Sequence, residues 1–415
     1  MRKTLFLLAL LAALPARANP APAFDTWLAD FRREALAQGI SAATLDAALA
    51  GVKPAERVVS LDRKQPEFLQ TFSDYLGRRV TPGRVDQGRG LLATHRDLFA
   101  PLERRYGVPA SVLVAFWGLE THYGTVKGNL NIPASLATLA YDGRRSAFFR
   151  GQLLDALHII DAGHVRAADM TGSWAGAMGH MQFMPSTFRA YAVDGDGDRR
   201  IDLWGSLPDA MHSAANYLHR AGWKPNTPAA IEVRLPRGFD WRQARPGHRL
   251  PVAEWVALGV LPADGSTMPN ASERGAILLP EGWEGPAFMV FDNFDVVMQW
   301  NRSQNYALAV AQLAQQLAGG PAVVAKAPAG ALSTVKLVAL QRALNEMGFD
   351  AGEPDGLLGR RTQLAIRRYQ AMHQLPVDGY PAPAIIAHVE RTHADAAARN
   401  RLTLAPASAF DGAEP

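Results

Sequence analysis

The sequence predicts a mainly α-helical protein with a small Pro/Gly-rich, partly β insertion and a small three-helix domain at its C-terminus. Three observations carry that expectation. Apolar residues recur at three- and four-residue spacing through most of residues 24–317, the signature of helices that bury one face. Residues 225–290 interrupt the pattern with prolines, glycines and short β-like runs. An Ala/Gly/Pro-rich stretch then precedes a second helical pattern at 334–392. A chain of 415 residues suggests two or three domains. With 48% hydrophobic and 20% charged residues the composition is globular.

Composition also excludes whole classes of chemistry. With no cysteine there is no disulfide scaffold, no Cys-ligated metal and no thiol nucleophile. A formal net charge of +4 without a basic block gives no reason to expect nucleic acid as a partner. At the N-terminus, Met1-Arg-Lys is followed by an apolar run over Thr4–Leu14 and small residues at Ala16 and Ala18, which reads as a signal peptide over 1–18. The run is far short of the ~20 residues that span a bilayer. No cysteine follows it, so a lipid anchor is excluded. Removing Arg2, Lys3 and Arg17 leaves a near-neutral, exported, soluble chain with no stable membrane anchor.

The elements follow in order. Trp27, Leu28, Phe31 and Leu36, then Ile40, Leu45 and Leu49, mark two short helices punctuated by Gly39 and Pro54. A run of aromatics (Phe68, Phe72, Tyr75) ends at Thr81-Pro-Gly83, and helix resumes from Arg84 to Tyr106. Pro109 opens the apolar segment Ser111–Glu120. Helical pattern continues to about Leu218, with Gly-rich breaks at 124–128, 172–179 and 194–197. Two β-like runs, Ile231–Leu235 and Ala287–Phe291, fall in the insertion, and helix returns at Val296–Leu317. The expected divisions are a helical domain over 19–318, a linker over 319–333, a module over 334–392 and a flexible tail over 393–415.

One segment carries chemistry. Residues 112–120 (VLVAFWGLE) are apolar and end in a single carboxylate, and helical spacing sets Glu120 beside Phe116 and Trp117. A carboxyl group among such neighbours is expected to be partly desolvated and to hold its proton near neutrality. General acid catalysis of glycosidic cleavage requires such a group. The alternative is an ordinary glutamate at a helix end, paired with an arginine.

The surrounding motifs bear on that choice. Glu120-Thr-His-Tyr-Gly124 is followed by Ala137-Thr-Leu-Ala-Tyr-Asp-Gly-Arg-Arg145, Gly172-Ser-Trp-Ala-Gly-Ala-Met-Gly179, Gln182-Phe-Met-Pro-Ser-Thr187 and Trp300-Asn-Arg-Ser303. In that order they resemble the lytic transglycosylases of the membrane-bound B type, over residues 24–317. The resemblance implies a lysozyme-like catalytic domain related to the goose-type enzymes and a periplasmic location. It also implies cleavage of the β-1,4 bond between N-acetylmuramic acid and N-acetylglucosamine in peptidoglycan. One glutamate, here Glu120, would protonate the glycosidic oxygen and then, as carboxylate, take the proton of the muramoyl C6 hydroxyl, forming a 1,6-anhydro ring. That chemistry needs one carboxylate where most glycosidases need two.

The resemblance further implies substrate-binding roles for Ser173, Gln182, Tyr217, Asn301 and Tyr306. Their ordinary alternatives are a cap for Ser173, core for Tyr217 and a turn for Asn301, while Trp174 is either a sugar-stacking face or core. Asp194-Gly-Asp-Gly-Asp-Arg-Arg-Ile-Asp202 places acidic residues at positions 1, 3, 5 and 9 of an EF-hand-like loop, with the Arg200 carbonyl at position 7. It departs from the loop at position 6, Arg199 in place of glycine, and at position 12, Gly205 in place of glutamate. The family carries a calcium loop here and a later acidic ligand that Asp209 matches. The expected set is Asp194, Asp196, Asp198, Arg200 and Asp209 around a structural Ca²⁺, with no cofactor required for the chemistry. The plain alternative is a solvated acidic turn. Glu120, His122, His158 and His164 lack zinc-hydrolase spacing, and no nucleophile elbow or P-loop occurs.

In the C-terminal segment Leu337, Leu340 and Leu344 share a helical face, and Gly348 closes the helix. Asp355–Gly356 and Asp378–Gly379 form a weak internal repeat of a turn. The segment resembles the three-helix peptidoglycan-binding module of cell-wall enzymes, with Tyr380-Pro-Ala-Pro383 departing from the pattern of the second turn. A docking domain for another protein is the alternative. Glycan strands are the expected partner, and a module tethered by about a dozen residues raises their local concentration. Partners among wall-synthesis or division proteins leave no mark of their own. The rivals are a hydrolytic muramidase with Asp142 or Asp169 as second carboxylate, an inactive wall-binding scaffold, and a zinc amidase.

Overall fold

The computed structural model describes residues 23–63, 70–325 and 333–403; the segment read as a signal peptide lies outside them. Six helices lead in: α1 (Phe24–Ala37), α2 (Ala42–Leu49), α3 (Glu56–Arg63), α4 (Phe72–Arg79), α5 (Pro82–Thr94) and α6 (Arg96–Tyr106). Next come α7 (Ala110–Thr121), strand β1 (Leu130–Asn131), α8 (Ile132–Asp142), α9 (Ser146–Asp161), β2 (Thr171–Gly172), α10 (Pro185–Tyr191) and α11 (Leu207–Arg220). Helix α7 is buried along almost its whole circumference, from Val112 to Leu119 and at Thr121, as an apolar run without a polar face must be. The helix expected over 84–106 divides at His95, where α5 ends and α6 begins.

The insertion holds β3 (Ala230–Arg234), β4 (Leu250–Pro251), α12 (Val252–Ala257), β5 (Leu261–Pro262), β6 (Arg274–Leu278) and β7 (Ala287–Val290). They form an antiparallel sheet in the order β4-β6-β7-β3-β5. Both expected β runs are strands, and they pair directly, Ala230 opposite Val290 and Val233 opposite Ala287. The sheet has its own small core of Val233, Phe239, Trp255, Ile277, Met289 and Phe291. Trp255 is fully buried and places its indole N–H on the Gly275 carbonyl at 2.8 Å. Its aromatic bulk therefore costs no orphaned donor.

Helices α13 (Asp292–Trp300) and α14 (Gln304–Leu317) return to the main core, α14 packing along α7. Ser303 caps α14 by accepting the Tyr306 N–H at 3.3 Å. The chain that follows, read as linker, begins tied down: the buried Glu232 carboxylate of β3 accepts the N–H groups of Val324 (2.7 Å) and Ala325 (2.8 Å).

The C-terminal module comprises α15 (Thr334–Glu346), α16 (Arg360–Met372) and α17 (Pro383–Thr403) around Leu337, Leu340, Leu344, Ile366, Tyr369 and Val389. Helix α17 continues to Thr403, into the stretch read as tail. The repeated turn is a repeat in three dimensions. Gln341 donates to Asp355 (3.0 Å) and accepts the Gly356 N–H (2.8 Å); Gln370 donates to Asp378 (2.6 Å) and accepts the Gly379 N–H (2.8 Å). Asp355 is exposed, whereas Asp378 is buried and accepts the Trp283 N–H from the insertion at 2.9 Å. Arg367 adds a second tie, to the Ala244 carbonyl at 3.0 Å.

Candidate active site

Glu120 stands in the last turn of α7, and the chain then reverses sharply. His122 (φ 50°), Tyr123 (φ 58°) and Gly124 (φ 82°) are successive left-handed residues. For a residue that bears a side chain, that conformation costs about 1–2 kcal/mol. Hydrogen bonds hold the reversal. The Tyr123 N–H reaches the Trp117 carbonyl at 3.2 Å and its phenol the Arg84 carbonyl at 2.7 Å. Thr121 accepts the Gly124 N–H at 3.0 Å and donates to the His180 carbonyl at 2.8 Å. Gly118 makes the close return possible, since a Cβ there would lie 2.8 Å from the Tyr123 ring.

The glutamate meets two neutral donors from a remote stretch. Glu120 Oε1 accepts the Trp300 indole N–H at 2.9 Å and the Tyr306 hydroxyl at 2.5 Å. Tyr306 is buried, and burial together with the facing Glu120 pushes its phenol far above the usual value, so it remains a donor. Trp300 is boxed by Phe116 (ring centroids 4.5 Å), Tyr217 (4.9 Å) and Phe183 (5.3 Å). Phe116, four residues before Glu120, therefore backs the donor that holds the carboxylate. Trp117 instead donates to His180 Nδ1 at 3.0 Å. Burial brings His180 down to about 4, leaving its ring neutral and able to accept.

The expected substrate-binding residues separate into two groups. Tyr306 touches Glu120, Tyr217 packs on Trp300 with a phenol raised by burial, and Asn301 lines an adjoining cavity of about 770 Å³. Ser173 accepts the Ala177 N–H at 3.0 Å and so closes its own turn. Gln182, itself left-handed (φ 50°), donates to the carbonyls of Lys127 and Gly179, both at 3.1 Å, and pins the loop after α7. Trp174 packs partly buried against the main core. Trp300 is the contact to Glu120 that sequence reasoning did not assign, although it belongs to a quoted motif. The two carboxylates weighed as hydrolytic partners are paired with arginines, Asp142 with Arg63 at 3.0 Å and Asp169 with Arg166.

At the acidic loop, carboxylate oxygens of Asp194, Asp196 and Asp209 lie within 4.8 Å of one another. Asp209, 1% exposed, sits in the first turn of α11 and accepts the N–H groups of Gly195 and Asp202, both at 2.6 Å. Burial raises its pKa, and Asp196 and Asp194 add to the rise. Three converging carboxylates, one of them buried, are a donor set that fits a hard divalent cation. Arg199 adopts φ 71°, supplying the left-handed turn that glycine would. Position 12 is Gly205, and the third carboxylate of the cluster comes from Asp209. Asp198 is outside this group and accepts the Arg200 N–H at 2.8 Å, and the Arg200 guanidinium donates to the His164 carbonyl at 2.8 Å.

This helical fold is shared with solved lytic transglycosylases, and that is the class in which the domain falls. The chain belongs to the family described as the transglycosylase SLT domain, which residues 23–315 match; residues 334–388 match a putative peptidoglycan binding domain. The membrane-bound lytic murein transglycosylase B of Escherichia coli K12 is 32% identical over 250 residues, 59% of this chain and 66% of that relative's length. SltB3 of Pseudomonas aeruginosa, solved in complex with NAG-anhNAM-pentapeptide, is 46% identical with a TM-score of 0.84, covering 88% of this chain and 99% of its own. Slt35 of Escherichia coli, solved in complex with calcium, is 28% identical with a TM-score of 0.61, covering 71% and 93%. Among the described residues no helix is long and apolar enough to cross a membrane.

Proposed function

We propose that this chain cleaves peptidoglycan by lytic transglycosylation, with Glu120 as acid and then base. The observation that carries the reading is the pair of donors on Glu120 Oε1. Trp300 and Tyr306 occupy one carboxylate oxygen, so the exchangeable proton belongs on Oε2. In the first half-reaction Glu120 gives that proton to the glycosidic oxygen as the C1–O bond breaks. The two hydrogen bonds then stabilise the carboxylate so formed, beside the positive charge developing at C1. In the second, Glu120 takes the C6 hydroxyl proton as O6 bonds to C1. The proton count closes without water, and the substrate's 2-acetamido group shares the positive charge. Tyr217 and Asn301 are assigned to the sugar-binding wall, and Ser173 and Gln182 to shaping the loops that carry it.

Asp194, Asp196 and Asp209 are the residues that would hold a structural Ca²⁺, with Asp198 and the Arg200 carbonyl completing the loop; the ion would neutralise the cluster and fix the start of α11. The SltB3 and Slt35 complexes support both halves of this reading. Export to the periplasm through residues 1–18, and attachment to glycan strands through the 334–392 module, belong to the same proposal. Digestion of purified sacculi by the full mature chain tests the chemistry. Released muropeptides lighter by one water than reducing-end species are expected; reducing-end products would mean hydrolysis instead.

A further inference from the structure

Arg84, half-buried in the first turn of α5, is placed against two local rules. A positive charge there faces the positive end of the helix dipole, and among the described residues no carboxylate pairs with it. Its Nε–H is buried without a hydrogen-bond partner. A cation so poorly served by its surroundings directs attention to what its other N–H groups hold.

They hold the end of α7. Arg84 Nη1 donates to the carbonyl of Arg79, the last residue of α4, and Nη2 meets His122 Nδ1 at 3.0 Å. A guanidinium can only donate, so Nδ1 accepts, and the proton of the neutral ring stands on Nε2. His122 is the C-cap of α7, left-handed at φ 50° and ψ 52°, where glycine or asparagine ordinarily serves. The Arg84 carbonyl meanwhile takes the phenol of Tyr123, the next left-handed residue. One turn along α5, Gly88 leaves the room that contact needs, since a Cβ there would stand 2.5 Å from the phenol oxygen. Both side-chain-bearing residues of the reversal are thus tied to one arginine, through its guanidinium and its backbone.

Glu120 lies two residues before His122. Trp300 and Tyr306 fix the tip of its side chain at Oε1, whereas the last turn of α7 fixes the root. A small displacement of a catalytic group costs rate out of proportion to its size. We propose that Arg84 is a positioning residue for Glu120, acting through His122 to keep the last turn of α7 closed against the reversal. The inference rests on the Glu120 chemistry above and deepens it by one residue.

The test couples two substitutions in the full mature chain. Arg84→Met keeps the apolar stem and the carbonyl that holds Tyr123, but removes the donor to His122. It should lower kcat on a soluble GlcNAc–MurNAc oligomer about tenfold, with KM changed by less than about twofold. His122→Gly accepts the left-handed turn without cost and has no ring for Arg84 to hold. In that background Arg84→Met should cost less than about twofold, because the two residues make one contact. Arg84→Lys, a point charge that cannot reach both acceptors at once, should restore part of the rate. Hydrogen exchange reads the same contact without turnover. The N–H groups of Tyr123 and Gly124 should exchange roughly tenfold faster in Arg84→Met, while thermal melts show all variants folded. An undiminished loss in the His122→Gly background, unchanged exchange, or a loss confined to KM overturns the proposal. A wild type that released only reducing-end products, with coupling and exchange as expected, would leave Arg84 in its role and defeat the transglycosylase reading instead.

Discussion

Glu120 and Asp209 are both acidic side chains at helix ends, and their surroundings differ in kind. Glu120 is in the last turn of α7, where the helix presents carbonyls, and its partners on Oε1 are a neutral indole and a neutral phenol. Asp209 is in the first turn of α11, where the helix presents N–H groups, and it meets two further carboxylates. A helix C-terminus works against a fixed negative charge and an N-terminus favours one. A single carboxylate held by neutral donors can gain and lose a proton at modest cost. Three converging carboxylates, one of them buried, instead accumulate charge that calls for a cation. The lesson is that the function of an acid here is set by its partners and its helix end.

Removing the carboxyl group is the hardest test of that contrast. Glu120→Gln keeps shape and both donors but abolishes proton exchange, and turnover of sacculi should fall about a thousandfold or more. Retained sacculus binding would show that the variant is folded; turnover within tenfold of wild type would remove Glu120 from the chemistry. A smaller effect comes from the donors. Tyr306→Phe deletes one hydrogen bond to a group that is charged in half of the cycle, worth about 1.5–3 kcal/mol, so kcat should fall roughly ten- to a hundredfold. KM should change little if the bond matters most when the carboxylate is charged. A rise in KM at constant kcat would instead make Tyr306 a binding residue alone.

The sequence singled out Glu120 and named Tyr306, but it left the Trp300 contact unassigned, for a physical reason. Glu120 ends a nine-residue apolar run, a local signal, and helical periodicity placed Phe116 correctly beside it. Trp300 lies 180 residues away, and tertiary packing alone brings its indole to the carboxylate. Ser173 and Gln182 show the reverse case. Their motifs drew attention, but the hydrogen bonds found for them close local turns. In the insertion, β3 and β7 were legible from their apolar runs, whereas β6 was missed, although it lies between β4 and β7. Strand β6 reads Arg-Gly-Ala-Ile-Leu and holds one β-branched residue behind a glycine, so it lacks the strand preference that the Ile and Val of β3 and the Phe and Val of β7 display. The Ala-rich stretch after Thr392 was read as tail, yet alanine is the strongest helix former, and α17 carries on to Thr403.

The smallest expected effect concerns the other half of the comparison. If Asp194, Asp196 and Asp209 hold Ca²⁺, the ion binds only the folded chain and stabilises it by about 2.7 kcal/mol at a hundredfold excess over its Kd. For a domain of this size that is a rise in Tm of roughly 5 °C, read by calorimetry with and without a chelator. Asp209→Asn should abolish most of the shift, because the neutral amide no longer supplies the buried charge that the cation offsets. The chelator should leave kcat of the wild type alone at temperatures well below melting, since no proton transfer at Glu120 passes through the loop. A chelator that stopped turnover of a chain still fully folded would tie the two acidic sites into one mechanism and break the division between them.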